Sequence, residues 1–64
     1  MDNLFEIHLM RLNDLSFVKK YESSIVPIIE DSLELEDQKH FVVKKRLLPT
    51  TPQKAIVLFG EVIQ

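Results

Sequence analysis

Two histidines, four serines and two charged runs are the residues of this chain whose types could carry chemistry. His8 and His40, joined by Glu6 or Glu36, would supply the nitrogen and oxygen ligands of a metal site if the chain brought them together. Two imidazoles are a thin basis for a zinc set, and the simpler reading is a pair of surface histidines beside charged neighbours. Ser16, Ser23, Ser24 and Ser32 offer hydroxyls, but a nucleophilic serine needs a base within hydrogen-bond reach and a third group to hold that base. Nothing in the spacing places either histidine there. Cysteine is absent, which removes thiolate nucleophiles, disulfides and thiolate metal sites together. Gly60 is the single glycine, so no glycine-rich phosphate loop can form. The chain therefore reads as non-enzymatic, with no cofactor and no metal expected.

The charged runs point to binding. Glu30, Asp31, Glu34, Glu36 and Asp37 place five carboxylates within eight residues. They form either an acidic face for a basic partner or a solvated connection. The basic counterpart is Lys39, Lys44, Lys45 and Arg46, with Phe41 among them, Lys54 nearby in sequence and Lys19-Lys20 as a possible extension. Cations that track phosphates beside a ring that stacks on bases make a minimal nucleic-acid surface. Against this, 8 basic and 10 acidic residues give a net charge of −2, whereas a dedicated nucleic-acid protein is usually strongly basic. Residues 1–32 carry 3 basic and 6 acidic groups and residues 33–64 carry 5 and 4. That uneven division can orient an encounter but does not set a fold.

Sixty-four residues allow one domain, spanning 1–64. A domain this small buries only about 60% of its unfolded surface and is marginal without a staple or a partner. The longest apolar run, Ala55–Phe59, is far short of the roughly 20 residues of a membrane span. The start Met1-Asp2-Asn3 lacks the basic residues of a secretion signal. A complete, cytoplasmic reading frame with no membrane partner is the simplest expectation.

Four apolar segments must position these groups. Leu15 to about Leu33 gives the clearest pattern. At helical steps Leu15, Val18, Tyr21, Ile25, Val26, Ile28, Ile29 and Leu33 share one half of the surface, with Asp14 as N-cap and Pro27 on the far side. The spacing predicts one long amphipathic helix over 15–34, bent at Pro27, with two helices split near Ser23-Ser24 as the alternative. Leu4–Leu12 alternates Phe5, Ile7 and Leu9 against Glu6 and His8, which suits a strand. Asn3 followed by Glu6 has the spacing of a capping box and argues for a helix instead. His40–Leu48 alternates Phe41, Val43 and Leu47 with His40, Val42, Lys44 and Arg46 and also reads as a strand. Lys54–Ile63 fits two readings. One is a helix capped by Thr51 with Pro52 in its first turn. The other is a β-branched strand, with a bulge at Gly60, forming a hairpin with the preceding strand.

The expected fold is α+β: a two- or three-stranded sheet packed on the helix 15–34, which would be a right-handed crossover if the first and third segments are parallel neighbours. An all-α small bundle is the alternative. A small sheet has exposed edges that can template another chain. The functional expectation follows: a small interaction module, acting as a regulator, inhibitor or accessory subunit, that docks on a protein partner or self-associates. Phe41, Val43 and Leu47 are the expected contact strand, and Phe59, Val62 and Ile63 a second apolar surface. A nucleic-acid-binding regulator using Lys39, Lys44, Lys45 and Arg46 is the alternative.

Overall fold

In a computed structural model, which describes residues 4–51 and 54–64, the chain forms one five-stranded sheet curled into a half-barrel. The strands are β1 (Phe5–Arg11), β2 (Phe17–Ser23), β3 (Ser32–Glu34), β4 (His40–Leu47) and β5 (Ile56–Ile63). Their spatial order is β2-β1-β5-β4-β3. The central pair β1 and β5 is parallel, and every other neighbouring pair is antiparallel. The described residues contain no helix.

The fold is thus all-β, and both the helix-packed α+β expectation and the all-α alternative are corrected by it. Strands lie where alternation indicated them, in segments 4–12 and 40–48. The last segment takes its strand form, with β5 antiparallel to β4 as a hairpin. Thr51, the expected cap of a terminal helix, lies in a bend; its companion Pro52 falls outside the described residues, as does Asn3. The expected crossover is absent as well. β1 has β5 as its parallel neighbour, and β4 lies beyond it.

The helix 15–34 is replaced by a turn, β2, an irregular strap and β3, for reasons visible residue by residue. A proline inside a helix costs about 3 kcal/mol, and Pro27 lies in the strap. Five β-branched apolar residues and Phe17 and Tyr21 occupy the segment, and alanine is absent from it; such residues favour strands. Asp14 does bond the backbone amide two residues on, its Oδ1 accepting from Ser16 N at 3.0 Å. That bond closes the β1–β2 turn rather than opening a helix. Leu15 adopts a φ of 59° there, and its N–H donates to the Arg11 carbonyl at 2.9 Å. Ser23 Oγ likewise accepts from Ile25 N at 3.0 Å and turns the chain out of β2. The carboxylates expected at a helix end occupy the strap, β3 and the β3–β4 turn. Asp37 and Gln38 both have positive φ, 60° and 61°. Consecutive positive φ values match the twist of a hairpin.

Alternation then builds the core on the concave side. Ile7 and Leu9 of β1, Phe41 and Val43 of β4, and Ile56 and Leu58 of β5 are buried. Val18, Tyr21, Val26, Leu33, Leu35 and Val62 pack around them. Two bulges adjust the curl. On β2, Val18 is the extra residue between the pairs Leu9–Lys19 and Met10–Phe17, and it packs on the core. On β4, Lys44 is the extra residue between Val43–Gly60 and Lys45–Phe59. The bulge expected at Gly60 therefore sits on the strand opposite it. Glycine at 60 answers a different need. A Cβ there would collide with the Val42 carbonyl oxygen and meet the Phe41 ring at 2.8 Å.

Candidate functional site: the open edge and outer face of the sheet

The register places a set of side chains across the outer, convex face. Phe17, Met10, Phe59 and Lys45 form one row across β2, β1, β5 and β4. Lys20, His8, Val57 and Leu47 form the next. Phe17 is 57% exposed and Leu47 54%; Lys20 and Lys45 are exposed, and Met10, His8, Val57 and Phe59 are half-buried. Further along, Val42 and Ile63 continue the apolar surface beside Glu61. The His8 ring meets Phe17 edge-to-face, centroids 6.1 Å apart. His8 Nε2 lies 3.4 Å from Glu6 Oε2, a charge contact only if the imidazole is protonated. It has no hydrogen-bond partner although solvent does not reach it.

The second element of the site is the free edge of β2. β1 takes one side of this strand, and among the described residues no backbone hydrogen bond reaches the other. Along it, Tyr21 faces the concave side opposite Ile7. Lys20 and Glu22 face outward, opposite His8 and Glu6. Burial pushes the Tyr21 phenol up from its ordinary value of 10.0. Hydrogen bonds from Ser16 hold the Asp14 carboxyl, at the neighbouring turn, below its ordinary range, with Arg11 adding a smaller attraction.

The residues singled out from the sequence fall in different places. Phe41 and Val43 are fully buried in the chain's own core and present no contact strand. Val62 is half-buried on the same side. Leu47, Phe59 and Ile63 belong to the outer face. The basic run diverges because of the β4 bulge. Lys44 Nζ pairs with Glu30 Oε1 at 3.3 Å, Arg46 Nη1 reaches the Pro27 carbonyl at 3.5 Å, and Lys45 stands opposite Phe59 on the outer face. Lys39 lies at the β3–β4 turn. These four cations do not share one surface. Lys19 faces the concave side with Tyr21, and Lys20 the convex side, so they do not extend it.

His8 and His40 lie on strands separated by β5, opposite Val57 and Ile63 respectively, and are not brought together. No group of three metal-ligating side chains occurs among the described residues. The Ser23 hydroxyl accepts from the Ile25 backbone amide and closes a turn. A cleft of about 430 Å³ opens at the rim between Phe5, Val26, Arg46, Leu48 and Ile56. Its charged lining groups are Arg46, which already has a backbone partner, and Lys54. The features that sequence reasoning missed, the β2 edge with Lys20 and Glu22, were hidden by the helical phase of the same segment. Phe17 and Tyr21, aromatic residues favouring strands, together with Pro27 were the available signal. Comparison with family models, with curated proteins and with solved structures finds no match to this chain.

Proposed function

We propose that the protein is a small non-catalytic interaction module that binds another polypeptide through the open β2 side of its half-barrel and the apolar rows beside it. The observation that carries this reading is the exposed apolar surface. Phe17 and Leu47 stand on the outer face, and among the described residues they are two of eleven large hydrophobic side chains left exposed. Large contiguous apolar surface on a soluble domain marks an interaction site. Binding here needs no pocket or reactive group; it proceeds by burial of the rows and pairing of the edge. Lys20, Glu22 and Lys45 would set orientation.

The test is site-specific photo-crosslinking in the producing cell, with a photoreactive phenylalanine analogue in place of Phe17 and, separately, of Asp37 in the β3–β4 turn. Discrete polypeptide adducts from position 17 and none from position 37 are expected. Equal labelling from both positions, or none from position 17, would overturn the reading.

A further inference from the structure

The charges along the β2 edge select a particular partner. A strand with a free edge can pair antiparallel with a second copy of itself about a two-fold axis, the symmetry of most homodimers. In such a pair, residues whose numbers are symmetric about the axis stand opposite and project to the same face. Four axis positions lie in the charged stretch of β2. An axis through Lys19, Lys20 or Glu22 sets that residue against its own copy, with like charges directly opposed. An axis through Tyr21 sets Lys20 against Glu22 of the second copy, and Glu22 against its Lys20, with the two tyrosines meeting on the concave side. This register alone matches opposite charges, and it does so twice.

The isolated chain also leaves these two charges unmatched. Glu22 stands directly opposite Glu6 on β1, a like-charge pair, and Lys20 stands opposite His8. The ion pairs among the described residues are His8–Glu6 and Lys44–Glu30, and neither uses Lys20 or Glu22. A second copy in the Tyr21-centred register puts an ammonium beside the Glu6–Glu22 pair and a carboxylate beside Lys20. It also satisfies a backbone edge that nothing in the described chain covers.

We infer that the protein self-associates by antiparallel β2–β2 pairing centred on Tyr21, with reciprocal Lys20–Glu22 contacts, so that two five-stranded half-barrels form one continuous ten-stranded sheet. This inference rests on the interaction-module reading and names its partner as a second copy of the chain.

A charge-exchange set tests it by light scattering and sedimentation from about 1 µM to about 1 mM, the range of weak to moderate association, with circular dichroism confirming the fold of each variant. Wild type is expected at about twice 7.5 kDa. Lys20→Glu and Glu22→Lys each turn both contacts repulsive and should weaken the dimer about tenfold or more. The double variant restores both contacts and should recover the dimer. The two single variants mixed in equal amounts also match at every contact, so the mixture should form a heterodimer that neither makes alone. A monomeric wild type across the range would overturn the inference. So would single variants that dimerise like wild type, or a double variant or mixture that fails to recover. A monomer that still gives adducts with a different polypeptide from position 17 refutes self-pairing and leaves the module reading standing. A monomer with no such adducts refutes both.

Discussion

Gly60 is the residue at which the packing of β5 against β4 leaves no room for a side chain. It lies on β5 between Val43 of β4 and Arg11 of β1, beneath the Phe41 ring. A methyl group there meets two obstacles of different kinds. The ring can be trimmed, but the Val42 carbonyl is backbone held in the β4–β5 ladder. Overpacking of a well-filled core costs about 1–3 kcal/mol and more when backbone must move. A domain of this size commands only about 3–5 kcal/mol in all. Gly60→Ala should therefore abolish cooperative thermal unfolding or lower the midpoint by at least about 10 °C. Adding Phe41→Leu should not rescue it, because the carbonyl contact remains. A rescued melt would show that the ring alone excludes the side chain. Nothing in the sequence gave this reason for the glycine. Its type suggested a bulge, whereas the close approach of Val42 is a consequence of pairing with a strand seventeen or more residues away.

At the scale of elements, the strap between β2 and β3 shows why a strong helical pattern misled. Its apolar residues recur at spacings that satisfy a helix, yet each has a separate use. Val26 packs on the core, while Ile25 and Ile28 stay exposed. The strap is pinned at its end by one short-range motif: Asp31 Oδ2 accepts from Ile28 N at 2.9 Å, and Asp31 N donates to the Ile28 carbonyl at 3.1 Å. The neighbouring amides then join β4, Glu30 N to the Val43 carbonyl at 2.7 Å and Val43 N to the Asp31 carbonyl at 3.0 Å. Asp31→Ala removes the side-chain bond and should cost about 1 kcal/mol, lowering the melting midpoint by about 4–8 °C. Amide exchange should accelerate at Glu30 and Val43 and stay unchanged at Leu58. Unchanged exchange at Glu30 and Val43 would show that the strap is held by Val26 rather than by this turn. The strands β1, β4 and β5 were legible because alternation is a local signal with one consistent face. β2 was not, because its bulge at Val18 breaks the period-two phase, and a period-3.6 stripe ran through it unopposed. Of the site, Leu47, Phe59 and Ile63 were legible as apolar surface. The edge was not, because which strand ends a sheet is decided by pairing partners distant in sequence.

At the scale of the whole molecule, one curled sheet covers one face and leaves the other open. Among the described residues six side chains form the buried core. The radius of gyration is 11.5 Å, against about 10.7 Å for a compact domain of this length. Eleven large hydrophobic side chains among the described residues stay exposed. A partner that binds only the folded form adds to stability by mass action. If that partner is a second copy, stability depends on the concentration of the protein itself. For a dimer of 64-residue chains that unfolds as it dissociates, each tenfold rise in concentration should raise the melting midpoint by about 5 °C. Lys20→Glu should lower the midpoint by about 5 °C at every concentration, since a dimer about tenfold weaker melts like wild type at a tenth of its concentration. Calorimetry across three decades of concentration reads both effects. A wild-type midpoint that does not move with concentration would mean that the half-barrel is stable alone with its β2 edge open. The lysines of β2 would then serve to keep that edge from pairing, as charged residues do on the edges of many sheets.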